Sequence, residues 1–211
     1  MPANSNGRER GSSIIELVVV STIVITLSAI AIMSTVRPTT TNRANAAVDA
    51  VVSTLRQARQ TAIATRRNVA VYLLPPNQIQ LVLQTLPGEP AATPIALVKL
   101  NDGITTGLQF YLFPTLPNTP MGPLGFGKNA AIDYEPVNGG PVGGVVMFSS
   151  SGSFVGSGGV GNLFAVGNNN PVNTTIYIGQ IGDATTARAI TVVGATGRVR
   201  SYAWNGTAWQ E

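Results

Sequence analysis

The sequence predicts an α+β fold: a long N-terminal α-helical part, half transmembrane and half amphipathic, followed by a C-terminal domain of antiparallel β-strands. Three observations predict it. Residues 17–36 form a run of twenty without a charge. Residues 43–67 carry apolar side chains at steps of three and four, the helical period. After Arg67 the period falls to two and Gly and Pro multiply, which marks strands and turns.

Composition narrows the function before any motif is read. The 211 residues suit one domain, or one domain with an appendage. Only 10% are charged, against about 25% in an average globular chain. The absence of Cys excludes a disulfide framework, thiol nucleophiles and thiolate metal sites. The absence of His removes the commonest metal ligand and the commonest general base. No catalytic constellation, metal site or cofactor site is expected. The net charge of +4 (13 basic, 9 acidic) is mild, so its distribution matters more than its size.

At about 1.5 Å per residue, a helix over 17–36 spans roughly 30 Å, the hydrocarbon thickness of a bilayer. The competing reading is a secretory signal peptide. Its apolar region would be shorter, about 7–15 residues, and would lead into a small-residue cleavage site. Here a helical pattern follows instead. Arg8 and Arg10 precede the run while Arg37 and Arg43 follow it, so counting positive charges nearly ties. The short Arg-bearing leader favours a cytoplasmic N-terminus. Glu16 sits at the apolar border, where a carboxylate is either snorkelling to the interface or paired.

The segment Arg10-Gly11-Ser12-Ser13-Ile14-Ile15-Glu16-Leu17, followed by the apolar helix, resembles the class III leader of type IV prepilins and type II secretion pseudopilins. The resemblance implies that a prepilin peptidase of the inner membrane cuts between Gly11 and Ser12 and methylates the new N-terminus. Ser12 stands where the family usually carries Phe. Glu16, five residues past the cut, matches the family's glutamate, which is understood to pair with the terminal amine of a neighbouring subunit during filament assembly. Opposite charges attract far more strongly in a low-dielectric bundle than in water. The implied organisation is a leader over 1–11, a transmembrane and assembly helix over 12–37, an amphipathic helix over 38–67 and a β-rich periplasmic domain over 68–211. Pro38 is expected to kink or end the helix.

In the second helical stretch Ala44, Ala47, Val48, Val51, Leu55, Ala58 and Ala62 form the apolar stripe, and Arg56, Arg59, Arg66 and Arg67 make its C-terminal half basic. These arginines read as a solvated face complementing the helix dipole, or as a polyanion contact. The words Leu55-Arg56-Gln57-Ala58-Arg59-Gln60-Thr61-Ala62-Ile63 and Asn68-Val69-Ala70-Val71 resemble the H-type pseudopilin and FimT-like minor pilin branch (GspH/FimT), in which the helix runs straight into a first strand.

Strands are expected over 68–74 and 78–84, joined as a hairpin across Pro75-Pro76-Asn77, and over 95–100, 108–113, 144–148, 176–178, 189–193 and 198–204. Residues 86–94 and 114–144 read as Pro/Gly-rich loops. Phe148-Ser149-Ser150-Ser151-Gly152 resembles the branch's Phe-x-x-x-Gly turn, and 190–200 its closing hairpin, with turn Gly194-Ala195-Thr196-Gly197.

Two glycine-rich strings and one acidic pair read as background. The sequence over 156–161 spells G-x-G-x-x-G, yet no helix pattern follows it. The sequence over 122–128 nearly spells a P-loop, but Asn129 replaces the magnesium-binding hydroxyl and Pro123 removes an N–H. Asp133 and Glu135 lack metal-ligand company and read as surface charge.

On a strand over 198–204, Arg198, Arg200, Tyr202 and Trp204 share one face, with Val199 and Ala203 on the other. Two guanidinium groups beside two rings form a candidate platform for phosphate contact and base stacking. An exposed face with solubilising arginines and a ring-covered apolar edge is the plainer alternative, and contact with a neighbouring subunit a third. In FimT-like minor pilins a C-terminal Gly-Arg-x-Arg motif is associated with DNA capture, and Gly197-Arg198-Val199-Arg200 matches its spelling. The resemblance therefore implies a non-enzymatic minor pseudopilin of a type II secretion system, or a minor type IV pilin that binds DNA for uptake. Its implied partners are prepilin peptidase, other pilins or pseudopilins, the inner membrane and, in the second case, DNA.

Overall fold

The computed structural model describes residues 14–85, 94–100, 107–119, 129–138, 145–156 and 170–211, the side chains of 29–39 excepted. The chain forms two compact units, Met1–Thr40 and Thr41–Glu211.

The helix α1 covers Ile14–Thr65, with Glu16 in its first turn, where a carboxylate complements the helix dipole. It continues through Pro38 rather than ending there, since one proline removes a single backbone donor and the turns on either side carry on. The helix stops at Arg66, a non-glycine residue with φ of 54°, whose left-handed backbone turns the chain out of the helix.

From Thr41 onward every residue of the expected stripe is buried: Ala44, Ala47, Val48, Val51, Leu55, Ala58 and Ala62. They pack against two antiparallel sheets. The first runs β3 (Pro94–Lys99), β2 (Gln78–Leu83), β1 (Val69–Leu74), β6 (Val146–Phe148), β7 (Phe154–Gly156). The second runs β11 (Trp209–Gln210), β10 (Arg198–Trp204), β9 (Asp183–Val193), β8 (Val172–Gln180), β4 (Leu108–Phe110), and β5 (Ile132–Pro136) also pairs with β8. The fold is α+β, with the amphipathic part of the helix laid on antiparallel sheets.

Alternation divides the second sheet between two cores. Ile176, Ile178, Ile190, Val192 and Val199 join the helix stripe and the first sheet's Val69, Val71, Ile79, Leu81 and Phe148. On the opposite face Tyr177, Ala189 and Tyr202 pack with Phe113, Leu116, Ala187 and Trp209.

The hairpin β1–β2 and strand β10 lie where expected. Four expectations are corrected. The strand expected over 108–113 ends at Phe110. The strands expected over 176–178 and 189–193 extend to Val172–Gln180 and Asp183–Val193. Thr174, Thr175, Thr186 and Ala187 are buried there, so small and hydroxylated residues fill core positions that apolar patterning skips. Strand β5 falls inside the expected loop over 114–144, and β7 and β11 were not expected. Of the glycine-rich strings, 122–128 lies outside the described residues, and so does 156–161 after Gly156.

Candidate functional site

Two regions carry the expected site residues. Gly11 and Ser12 lie outside the described residues. Glu16 is described and exposed, at the head of a helix face that continues through Leu17, Val20, Ser21, Val24 and Ile25. Around it Ile14 is 84% exposed and Leu17 67%. The hydroxyls in this stretch do not depend on water. Ser21 and Thr22 donate to the Val18 carbonyl at 2.9 and 2.8 Å, Thr26 to Thr22 at 3.0 Å and Ser28 to Val24 at 2.7 Å. A helix whose side-chain donors bond its own carbonyls presents an apolar surface despite its Ser and Thr content. Among the described residues no helix is long and apolar enough to cross a membrane. Side chains 29–39, which take in the last part of the uncharged run, lie outside them.

The second region is built on β9, β10 and the turn between them. Gly197 closes this turn with φ of 63°, and its N–H donates to the Val193 carbonyl at 2.7 Å. A Cβ at Gly197 would overlap the Gly152 carbonyl oxygen, so glycine is required here twice over. Arg59 of α1 donates from Nε to that same oxygen at 3.1 Å, which ties the helix to the β6–β7 turn and the β9–β10 turn together.

Along β10, Arg198 is exposed and Arg200 half-buried. Strand β11 pairs only with Ala203 and Trp204, so the earlier part of β10 has no strand on that edge among the described residues. There a cleft of about 750 Å³ opens, lined by Arg56, Arg59 and Gln60 of α1 and by 196–201 and Glu211. The Arg200 guanidinium is held above its ordinary pKa by the Tyr202 hydroxyl, then by Glu211, whose Oε1 lies 3.6 Å from Arg200 Nε.

The structure thus brings Arg198 and Arg200 together in the cleft and sets the Tyr202 hydroxyl against Arg200, while the Tyr202 ring packs in a core and Trp204 lies outside the cleft lining. Tyr202 is 4% exposed, packed in the second core. Trp204 is half-buried, edge-on to Trp209 with ring centroids 5.4 Å apart. Trp209 in turn donates from Nε1 to the Pro117 carbonyl at 2.8 Å. Of the two rings expected on the platform, that of Tyr202 is covered and that of Trp204 half-covered: shared sidedness on a strand is not exposure, and this face of the sheet carries a core of its own. Sequence reading also missed that Arg56 and Arg59 join the β10 arginines. The spacing gave each pair, and only the packing of helix on sheet unites them.

A smaller cleft of about 360 Å³ on the same edge includes Asn45, Asp49, Arg188 and Glu211. Arg188 is buried, donating to Asn45 Oδ1 at 2.8 Å and to the Thr185 and Ala187 carbonyls at 3.0 and 2.8 Å. Burial lowers its pKa. Asp133 accepts from the Asn129 N–H at 3.1 Å, and among the described residues no three metal-capable side chains cluster.

No protein-family model and no curated protein matches the chain. Among solved structures it is similar to the type IV minor pilin FimU of Pseudomonas aeruginosa, at 16% identity and a TM-score of 0.39, covering 74% of this chain and 90% of that one. It is also similar to the minor pseudopilin EpsH of the type 2 secretion system of Vibrio cholerae. That match has 14% identity and a TM-score of 0.42, over 78% of this chain and 99% of that one.

Proposed function

We propose that the chain is a minor pseudopilin, a structural subunit of a type II protein secretion pseudopilus. It is cut by prepilin peptidase after Gly11, held in the inner membrane with its N-terminus cytoplasmic and its β-domain periplasmic, and assembled through its N-terminal helix. The observation that carries this reading is the surface of α1 over 14–28. Its large apolar side chains are exposed, its hydroxyls are bonded internally, and Glu16 is the one acid upon it. Such a surface is stable in lipid or against sister helices, and a lone carboxylate there gains most from a cationic partner.

Immunoblots of processing and filament content test it. Gly11→Ala should leave a membrane-bound precursor, and Glu16→Ala should be cut normally yet enter filaments poorly. Mature-length Gly11→Ala protein would sink the leader assignment.

The joining of Arg56 and Arg59 with Arg198 and Arg200 in one cleft favours a second reading, a minor type IV pilin that holds DNA during uptake. Gene deletion separates the two. Loss of enzyme secretion with transformation intact supports the first, and the reverse phenotype supports the second.

A further inference from the structure

Four guanidinium groups line the cleft at the β10 edge, two from α1 and two from β10, and Glu211 is the one acid among its lining residues. Like charges gathered in a concave site raise one another's potential and concentrate counter-anions there. Among the described residues the compensation is slight. Glu211 approaches Arg200 at 3.6 Å, and its side chain is 57% exposed, so solvent screens the pair and little holds it. Arg56 is exposed, while Arg59 meets the Gly152 carbonyl through Nε alone. Among the described residues no aromatic side chain is part of the cleft lining, though the Tyr202 hydroxyl meets Arg200 beside it; the neutral members include the Thr196 and Ser201 hydroxyls and the Gln60 amide. Guanidinium forks and hydroxyl donors suit phosphate oxygens, and guanidinium groups engaged with phosphate leave no ring beside them for a base to stack on.

We propose that this groove binds the phosphate backbone of a nucleic-acid strand without stacking its bases, with Arg56 and Arg59 as binding residues beside Arg198 and Arg200 and with Glu211 as an internal competitor that the ligand displaces. The inference rests on the DNA-holding reading and gives it a site, a recognition mode and a brake. Recognition through phosphate alone is indifferent to sequence and steeply dependent on salt.

The test is fluorescence anisotropy with the full chain in nonionic detergent. The probes are a mixed-sequence DNA strand and an abasic strand of equal length, at about 50 and about 200 mM salt. The abasic strand should bind within about twofold of the normal one, since base stacking, where it operates, is worth about 1–3 kcal/mol per base. Arg56→Gln, at an exposed site, should weaken binding about fivefold and flatten the salt slope by about 0.7–0.9. Glu211→Gln should tighten binding severalfold.

Failures are separable. Loss of binding in Arg198→Ala/Arg200→Ala with no change in Arg56→Gln overturns the groove and leaves the DNA reading standing. An abasic strand bound tenfold more weakly overturns backbone-only recognition. Unchanged affinity in Glu211→Gln overturns the competitor. A wild-type chain that binds neither strand at the lower salt overturns the groove and the DNA reading together.

Discussion

The two ends of α1 are both rich in aliphatic residues, and their surroundings differ completely. Over 14–28 the apolar side chains stand exposed, Ile14 at 84% and Val20 at 54%. From Thr41 onward one stripe is sealed, with Ala44, Val51, Leu55, Ala58 and Ala62 at 0%. The pattern of residues explains the contrast. The first stretch is apolar on all sides and cannot be covered by one neighbouring face, whereas the second offers a single stripe that a sheet can cover. Apolar surface partnered inside the chain stabilises the fold, and apolar surface without such a partner is available to lipid or to another helix.

The sealed stripe gives the largest effect by which that contrast can be broken. Leu55→Ala should destabilise the β-domain by about 2–5 kcal/mol, because a leucine at 0% exposure leaves a cavity between helix and sheets. Urea unfolding in nonionic detergent would measure it, read by fluorescence of Trp204 and Trp209, the chain's two tryptophans. A loss below about 1 kcal/mol would mean that the stripe is not what binds the helix to the sheets.

Next comes the junction that locks helix and turns. Gly197→Ala should cost about 1–3 kcal/mol, from a left-handed φ and the overlap with Gly152. Gly182 shares a positive φ of 81°, but a Cβ added there would meet nothing within 4 Å, so Gly182→Ala should cost less. Equal losses would show that backbone strain alone, not the three-way contact with Arg59, governs Gly197.

These two sites also show what could be read from the chain. The stripe was legible because its residues recur with helical period and share one partner surface. Strand β10 was legible from its alternation, and the hairpin turn from Gly194 and Gly197. Strands β8 and β9 were half hidden, because Thr174, Thr175, Thr186 and Arg188 occupy buried positions that apolar patterning does not mark, the last two held there by hydrogen bonds. The cleft was legible only in pieces. Arg56 and Arg59 are far from Arg198 and Arg200 in sequence, and no local pattern reports the edge of β10 lying beside α1. The burial of Tyr202 was hidden for a related reason: alternation gives the face, and only the packing of Phe113, Tyr177 and Trp209 says that the face is covered.

A smaller effect tests burial through pH. Tyr134 packs against the main core, and loss of solvent around its hydroxyl pushes its pKa up to about 12. The unfolded tyrosine ionises near 10, so the unfolded state loses its proton first as pH rises. Stability should therefore be level below pH 10 and fall between about 10 and 12. Tyr72 and Tyr177 are shifted in the same direction by burial. Phenolate absorbance followed beside unfolding would check it, and complete ionisation of all five tyrosines near pH 10 would contradict the packing.

The smallest effect belongs to the exposed end of α1. Val20→Ala should change β-domain stability by less than about 0.5 kcal/mol, since the side chain is 54% exposed and belongs to a unit separate from the domain. The same substitution trims the face that Glu16 heads, so it should weaken association between helices in detergent while the urea midpoint stays put. A shift in that midpoint comparable to Leu55→Ala would mean that this surface has a partner within its own chain, and the contrast between the two ends of the helix would fail.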